Sequence, residues 1–375
     1  MPSFATTIFL AFICLDSMAQ KSNLSLEKLG LKHLQSQLSY IPAKSFTSRS
    51  YTGSDSVSFY GPRVVSVPGF YISKTEVSNK EYREFTQYVK DSIAHTLLKH
   101  FKNGTNNIDW SKPIDWNDDH LEPMMVSPED RIYGSKDVDA GKIIFEIDFF
   151  GQKENISIYP DTLVWIKDFA YSYNEQLAKR YFLHSSYNDY PVVGISLKQA
   201  MAFCQWKTDQ INQGMYQSGK EYETIVRLPS GNEWESAAFD LNKTRSLLLK
   251  DKKEYNCNFG PINDRGMVLK GFRDDGYFYT APVKSYSAGP FGIYDMKGNV
   301  AEWTSTTRDE IMNVEVKPEK QKTSFIVKGG GWNSTPFYLQ AGVCQFFPVD
   351  AAHSFVGFRY VVHIEKNNRQ QNKQD

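Results

Sequence analysis

Residues Gly289 to Thr304, GPFGIYDMKGNVAEWT, decide how this chain is read. The stretch sets two glycine turns around two carboxylates, Asp295 and Glu302, with Trp303 directly after the second. Carboxylates offer hard oxygens, and the turn from Gly298 to Val300 can present backbone carbonyls inward. That combination suits Ca2+, which takes about six to eight oxygen ligands in flexible loops. The plain alternative is that Asp295 closes an Asx turn and Glu302 pairs with a nearby base. Further along stand Gly329-Gly330-Gly331-Trp332 and Val356-Gly357-Phe358-Arg359, again glycine turns set beside aromatic residues.

Working outward, the 375 residues suffice for one large domain or two ordinary ones. A hydrophobic share of 41% and an aromatic share of 14% give the chain enough to bury a sizeable core. Lys plus Arg and Asp plus Glu both number 43 and no basic run occurs, which argues against a nucleic-acid or acidic-membrane binder. The apolar run Phe4 to Leu15, followed by Ser17-Met18-Ala19 before Gln20, reads as an export signal over residues 1–19, although its start lacks Lys and Arg. Cys14 raises the question of acylation, but Ile13 stands where a lipobox takes Gly, Ala or Ser. Cleavage would leave Cys204, Cys257 and Cys344 in an oxidising compartment, where one disulfide and one spare thiol are expected.

Three helix starts are expected at capping boxes: Ser78-x-x-Glu81, Ser196-x-x-Gln199 and Ser230-x-x-Glu233. Each follows a strand-like run: Phe70 to Ile72, Pro191 to Ile195, and Ile225 to Leu228. Beyond Phe239 short strands alternate with glycine turns, so the order of elements predicts an α+β fold. The segment from about His95 to Asn188 is too long for a bare loop and reads as an insertion packed on the main domain. The tail from Glu365 to Asp375 lacks apolar residues and is expected to be disordered.

Taken in order, Gly69-Phe70-Tyr71-Ile72-Ser73-Lys74-Thr75-Glu76-Val77-Ser78-Asn79, Tyr190 to Ser196, Arg227-Leu228-Pro229-Ser230, Thr280-Ala281-Pro282-Val283 and the C-terminal glycine blocks resemble the formylglycine-generating-enzyme family. The resemblance implies that family's variant of the C-type-lectin fold over residues 20–364. A narrower resemblance, carried by Glu81 to Phe85, Val89 to Ala94, Ile108-Asp109-Trp110 and Thr162 to Glu175, is to the GldK/PorK group and the related GldJ group. Those are non-catalytic components of the Bacteroidetes type IX secretion and gliding machinery. The implied partners are other subunits of that machine (PorN/GldN-like) in a homo-oligomeric ring at the periplasmic face of the outer membrane.

The family's oxidation chemistry runs on two cysteines after the Gly-Gly-x-aromatic turn, and this chain has Ser334 and Leu339 there. Cu(I) prefers soft sulfur ligands, so a hydroxyl and an isobutyl group remove the metal site and no copper is expected. The seven histidines form no i,i+4 pair, and the chain has no GxSxG elbow and no phosphate loop. The resemblance implies calcium ligands at Asp295, Gly298, Val300 and Glu302. It implies a second set at Asn258, the carbonyl of Phe259, Asp275 and the carbonyl of Tyr277. It also implies a disulfide between Cys204 and Cys344, the alternative being two buried thiols. Three functions therefore stand open: a non-catalytic structural subunit, an enzyme with another reaction, and a calcium-braced lectin-like module.

Overall fold

Capping residues mark three of the helix starts. The computed structural model describes residue 26 and residues 31–52, 58–169, 173–217, 222–238, 255–262, 267–268, 271, 274–312 and 324–366. The expected export signal, Cys14 and the end of the tail lie outside them. The α-helices described are α1 (Asn79–Leu97), α2 (Val164–Lys167), α3 (Glu175–Arg180), α4 (Leu197–Gln217), α5 (Gly231–Ala238) and α6 (Arg308–Met312). Ser196 and Gln199 form a reciprocal box before α4: the Gln199 amide donates to Ser196 Oγ at 3.3 Å, and the Ser196 amide donates to Gln199 Oε1 at 2.9 Å. Ser230 and Glu233 do the same before α5, at 3.2 and 2.8 Å. At α1 only half the box forms. Ser78 Oγ accepts from the Glu81 amide at 3.2 Å, while the Glu81 carboxylate turns away to Lys207 on α4.

Twelve strands are described: β1 (Leu38–Ile41), β2 (Lys44–Thr52), β3 (Ser58–Val67), β4 (Phe70–Ser73), β5 (Ile144–Phe149), β6 (Gln152–Ser157), β7 (Tyr222–Arg227), β8 (Ala301–Thr307), β9 (Ser324–Lys328), β10 (Gln345–Pro348), β11 (Val356–Gly357) and β12 (Val361–Lys366). One antiparallel sheet runs β1-β4-β12-β7, with Val361 opposite both Ile72 and Arg227. A second runs β10-β9-β8-β11, in which β11 is parallel to β8. Two hairpins, β2–β3 and β5–β6, stand apart from these sheets. The main core joins α1, α4 and both sheets through Tyr82, Phe85, Phe203, Trp303, Phe325 and Phe358, each 0% exposed. The mixed α+β order expected from the sequence is what forms.

One local expectation comes out differently. Pro191 to Ile195 does not form a strand: Pro191 makes an isolated bridge with Ser78, the Val192 amide donates to Val77 O at 2.9 Å, and Val192 and Ile195 are buried in the main core. Gly194 sits at φ +71, and a Cβ there would lie 2.3 Å from Asp161 O, so the backbone kinks where it passes the insertion. The aromatics of residues 95–188 divide. Trp165 is 1% exposed and packs against Tyr181 and Trp332, whereas Trp110 is 45% and Tyr173 86% exposed. The β5–β6 hairpin also gives Ile147 to the main core, and Tyr82 on α1 donates its hydroxyl to Ile158 O at 2.9 Å.

Candidate functional site

The Gly-Gly-Gly-Trp turn brings Ser334 and Leu339 together. Gly330 adopts φ +67, and a Cβ on it would sit 3.1 Å from Leu339 Cδ2 and 3.2 Å from Ser334 Cβ. Ser334 closes the turn: its hydroxyl accepts from the Gly331 amide at 2.9 Å, and its carbonyl accepts from the Gly260 amide at 2.8 Å. Leu339 is 2% exposed and packs with Cys257 and Phe259. A hydroxyl occupied by the backbone and an aliphatic side chain offer no thiolate pair.

Behind this turn lies a buried charge cluster. Arg359, 0% exposed, donates Nε to Glu302 Oε2 at 2.6 Å and Nη2 to Glu302 Oε1 at 2.7 Å. The Trp234 indole adds a third donor to Oε2 at 2.7 Å. Arg359 also donates to the carbonyls of Ser73 at 3.1 Å and Tyr294 at 2.9 Å, so it stitches β4 to the 289–304 segment. Burial works against the guanidinium charge, but the Glu302 carboxylate outweighs it and raises the Arg359 pKa. Such bidentate, charge-assisted pairing is the strong form of a hydrogen bond. Glu302 is thus held by Arg359 and Trp234, and its positive partner in this structure is a guanidinium.

Asp295 differs. It sits at φ +55, 7% exposed, and its Oδ2 accepts from the Lys284 amide at 2.7 Å while Oδ1 has no partner in the structure. Glu76 of the β4–α1 turn, 1% exposed, likewise holds Oε1 against Asn299 Nδ2 at 2.9 Å and leaves Oε2 without one. Burial, then the neighbouring Asp295 charge, pushes Glu76 well above the carboxylate range. Burial lifts Asp295 to about 6, against the pull of backbone amides and Arg359. Sequence reasoning missed Glu76, because nothing within ten residues of it marks an ion site. Gly298 and Val300 lie where the turn requires: Gly298 at φ +75 passes so close to Asn258 that a Cβ would be 1.9 Å from its carbonyl oxygen.

In the second set Asp275 is met by backbone amides. The Phe259 amide donates to Asp275 Oδ2 at 3.1 Å, and the Tyr277 amide lies 3.5 Å from Oδ1. Asn258, 1% exposed, donates Nδ2 to Tyr279 O at 2.7 Å, and its carbonyl accepts from Asn299 at 2.8 Å. Asp275 is therefore held by the backbone amides of Phe259 and Tyr277, while Asn258 ties this loop to Tyr279 and Asn299. Among the described residues no group of three or more His, Cys, Asp or Glu side chains is arranged to hold a metal ion.

The implied disulfide is not formed. Cys204 is a thiol in the main core beside Tyr82 and Phe203, and Cys344 is a thiol in a separate cluster with Ile311 and Ile326. Cys204 lies on helix α4 and Cys344 directly precedes strand β10, in different apolar clusters. Desolvation lifts both thiols, Cys204 beyond any working pH.

The insertion closes over the Trp332 face. Trp165, Tyr181, Val193, Val300 and Trp332 share one apolar cluster, and Trp332 Nε1 donates to Ser354 O at 3.1 Å. Asp168 clasps the facing loop: it accepts from the Ser354 amide at 2.6 Å and hydroxyl at 2.8 Å, and lies 3.1 Å from His353 Nδ1. Burial alone would lift Asp168, but the His353 and Ser354 bonds hold it below the usual carboxylate range.

The comparisons with known proteins fit this geometry. The sulfatase-modifying factor enzyme 1-like domain matches residues 33–364, and the chain belongs to that family. It is 28% identical over 192 residues to the formylglycine-generating enzyme of Thermomonospora curvata, covering 46% of this chain and 55% of the relative. It is 27% identical over 189 residues to the formylglycine-generating enzyme of Bos taurus, covering 46% and 43%. The inactive C-alpha-formylglycine-generating enzyme 2 of Bos taurus is 31% identical over 123 residues, 32% of this chain and 33% of that one. The chain thus spans about half the length of the first of these relatives or less. Among solved structures, PvdO from Pseudomonas aeruginosa aligns over 87% of this chain and 94% of its own at 17% identity, with a TM-score of 0.49.

Proposed function

We propose that this chain is a non-catalytic member of the family that works by holding partners, as a structural subunit of a type IX secretion or gliding assembly at the periplasmic face of the outer membrane. One observation carries the reading: Ser334 and Leu339 occupy the paired positions around Gly330, with the hydroxyl spent on closing a backbone turn and the leucine buried. A fold that keeps its turns and its Arg359–Glu302 pair while filling the reactive positions with packing groups suits a scaffold. The insertion supports the partner role, since it both clasps the domain through Asp168 and Trp165 and leaves Trp110, Tyr133 and Tyr173 exposed. Large exposed aromatics are the residues that dominate interface energetics. Calcium would be structural, held by Asp275 with Asn258 and the carbonyls of Phe259 and Tyr277; the residues gathered there fit a hard cation. At the other set the unpartnered oxygens of Asp295 and Glu76 fit one as well, without Glu302.

The test is affinity capture from a gently solubilised envelope extract with the full chain and a Trp110→Ala/Tyr173→Ala variant. Co-purification of secretion subunits that the variant loses is expected. A full-length chain that elutes as a monomer and retains no such subunit would defeat the assignment.

A further inference from the structure

A groove unrelated to the Ser334–Leu339 turn runs along the edge strand β1. Its larger part, about 580 Å³, is walled by Tyr40, Tyr71, Phe291 and Tyr294, with Lys74 and Lys284 at one end. A second part of about 310 Å³ shares Ser36, Lys74 and Lys284 and continues to a mixed-charge end with Lys80, Lys207, Glu81 and Glu84. The two parts are therefore one trough with a pair of lysines at its waist. These volumes fall within the range of small-molecule sites.

The chemistry of the two parts differs. Tyr40 and Tyr71 present tilted rings 5.2 Å apart between centroids, and Ser39 fixes the loop edge by donating to Phe291 O. Lys74 Nζ reaches Gln35 O at 3.2 Å, and Lys284 Nζ lies 5.9 Å from the Tyr294 ring centroid. Among the described residues neither Lys74 nor Lys284 joins an ion pair, whereas Lys207 at the far end is already paired with Glu81. Two unneutralised ammonium groups beside half-buried aromatic faces, with hydroxyl and amide groups along the rim, match a ring that carries an acid group. On such a ligand the apolar face of a pyranose would lie on an aromatic ring, its hydroxyls would face Ser36 and Gln35, and its carboxylate would face the lysines.

We propose that this trough binds an anionic saccharide, a sugar acid or short acidic oligosaccharide, with one ring on the Tyr40–Tyr71 wall and its acid group at Lys74 and Lys284. The site stands independently of the secretion role, because none of its residues lies in the insertion.

Isothermal calorimetry on the full chain tests it with tetragalacturonic acid as probe, maltotetraose as the neutral match and acetylated tetra-aspartate as the acidic peptide match. Binding of the acidic saccharide alone is expected. A Lys74→Ala/Lys284→Ala variant should bind it about tenfold weaker or worse, the size of one lost charge-assisted hydrogen bond. Lys284 is exposed, so Lys284→Glu serves as a second variant that reverses the charge without opening a cavity and should abolish binding. No binding by the wild type at millimolar probe, equal binding of the peptide or of maltotetraose, or full affinity in Lys284→Glu would each overturn the assignment.

Discussion

Replacing Arg359 by methionine probes the centre of the fold. The guanidinium is fully buried and makes four hydrogen bonds, two of them to Glu302 at 2.6 and 2.7 Å and two to the carbonyls of Ser73 and Tyr294. Methionine fills much of the volume but leaves three carboxylates, Glu76, Asp295 and Glu302, without a cation. Removing one partner of a buried pair costs about 3–5 kcal/mol, since the remaining charge stays desolvated. Arg359 also lowers the pKa of both Glu76 and Asp295, which burial has already raised. Without it both climb further. A carboxyl whose folded pKa is raised contributes stability that is present below its unfolded pKa and lost as pH rises through the folded value. The deficit of Arg359→Met should therefore be smallest near pH 5 and widen toward pH 8. Urea melts of both proteins at several pH values measure it. A loss under about 1 kcal/mol, or a loss that does not change with pH, would refute the reasoning.

Other outcomes follow from the same geometry. Wild-type stability should decline as pH rises from the ordinary carboxylate range through about 6, the pKa of Asp295, and Asp295→Asn should flatten that slope in pH-dependent denaturation. Gly298→Ala should prevent folding or cost well over about 2 kcal/mol, because φ is +75 and the new methyl meets Asn258 O at 1.9 Å. Gly104→Ala, at φ +73 with nothing within 4 Å, should cost only about 1–2 kcal/mol by the same thermal melts. Calcium in the millimolar range should raise the melting temperature by mass action, and Asp275→Ala should remove much of that shift; identical melts in calcium and chelator would count against an ion there.

Local signals were legible in the sequence and distant pairings were not. The boxes at Ser196 and Ser230 could be read because cap and partner stand three residues apart. The box at Ser78 was only half right, since Glu81 is drawn to Lys207, 126 positions away, and no window shows that competition. Pro191 to Ile195 has the composition of a strand, but the close approach of Asp161 to Gly194 bends it. Glu302 does pair with a base, Arg359, 57 positions on, too far for any local window to show. Glu76 escaped notice because its partner Asn299 is 223 positions distant. The Cys204–Cys344 pairing rested on resemblance alone, and helix α4 and strand β10 place the two thiols in different apolar clusters.

The central claim, a family fold whose reactive positions have become packing positions, is tested most directly by its chemistry. The purified chain is incubated with Cu(I), oxygen and a sulfatase-type cysteine peptide, and the peptide mass is followed with an active formylglycine-generating enzyme alongside. Ser334 and Leu339 predict a peptide whose mass stays unchanged while the control converts. Catalytic conversion of the cysteine to formylglycine by this chain would contradict the account.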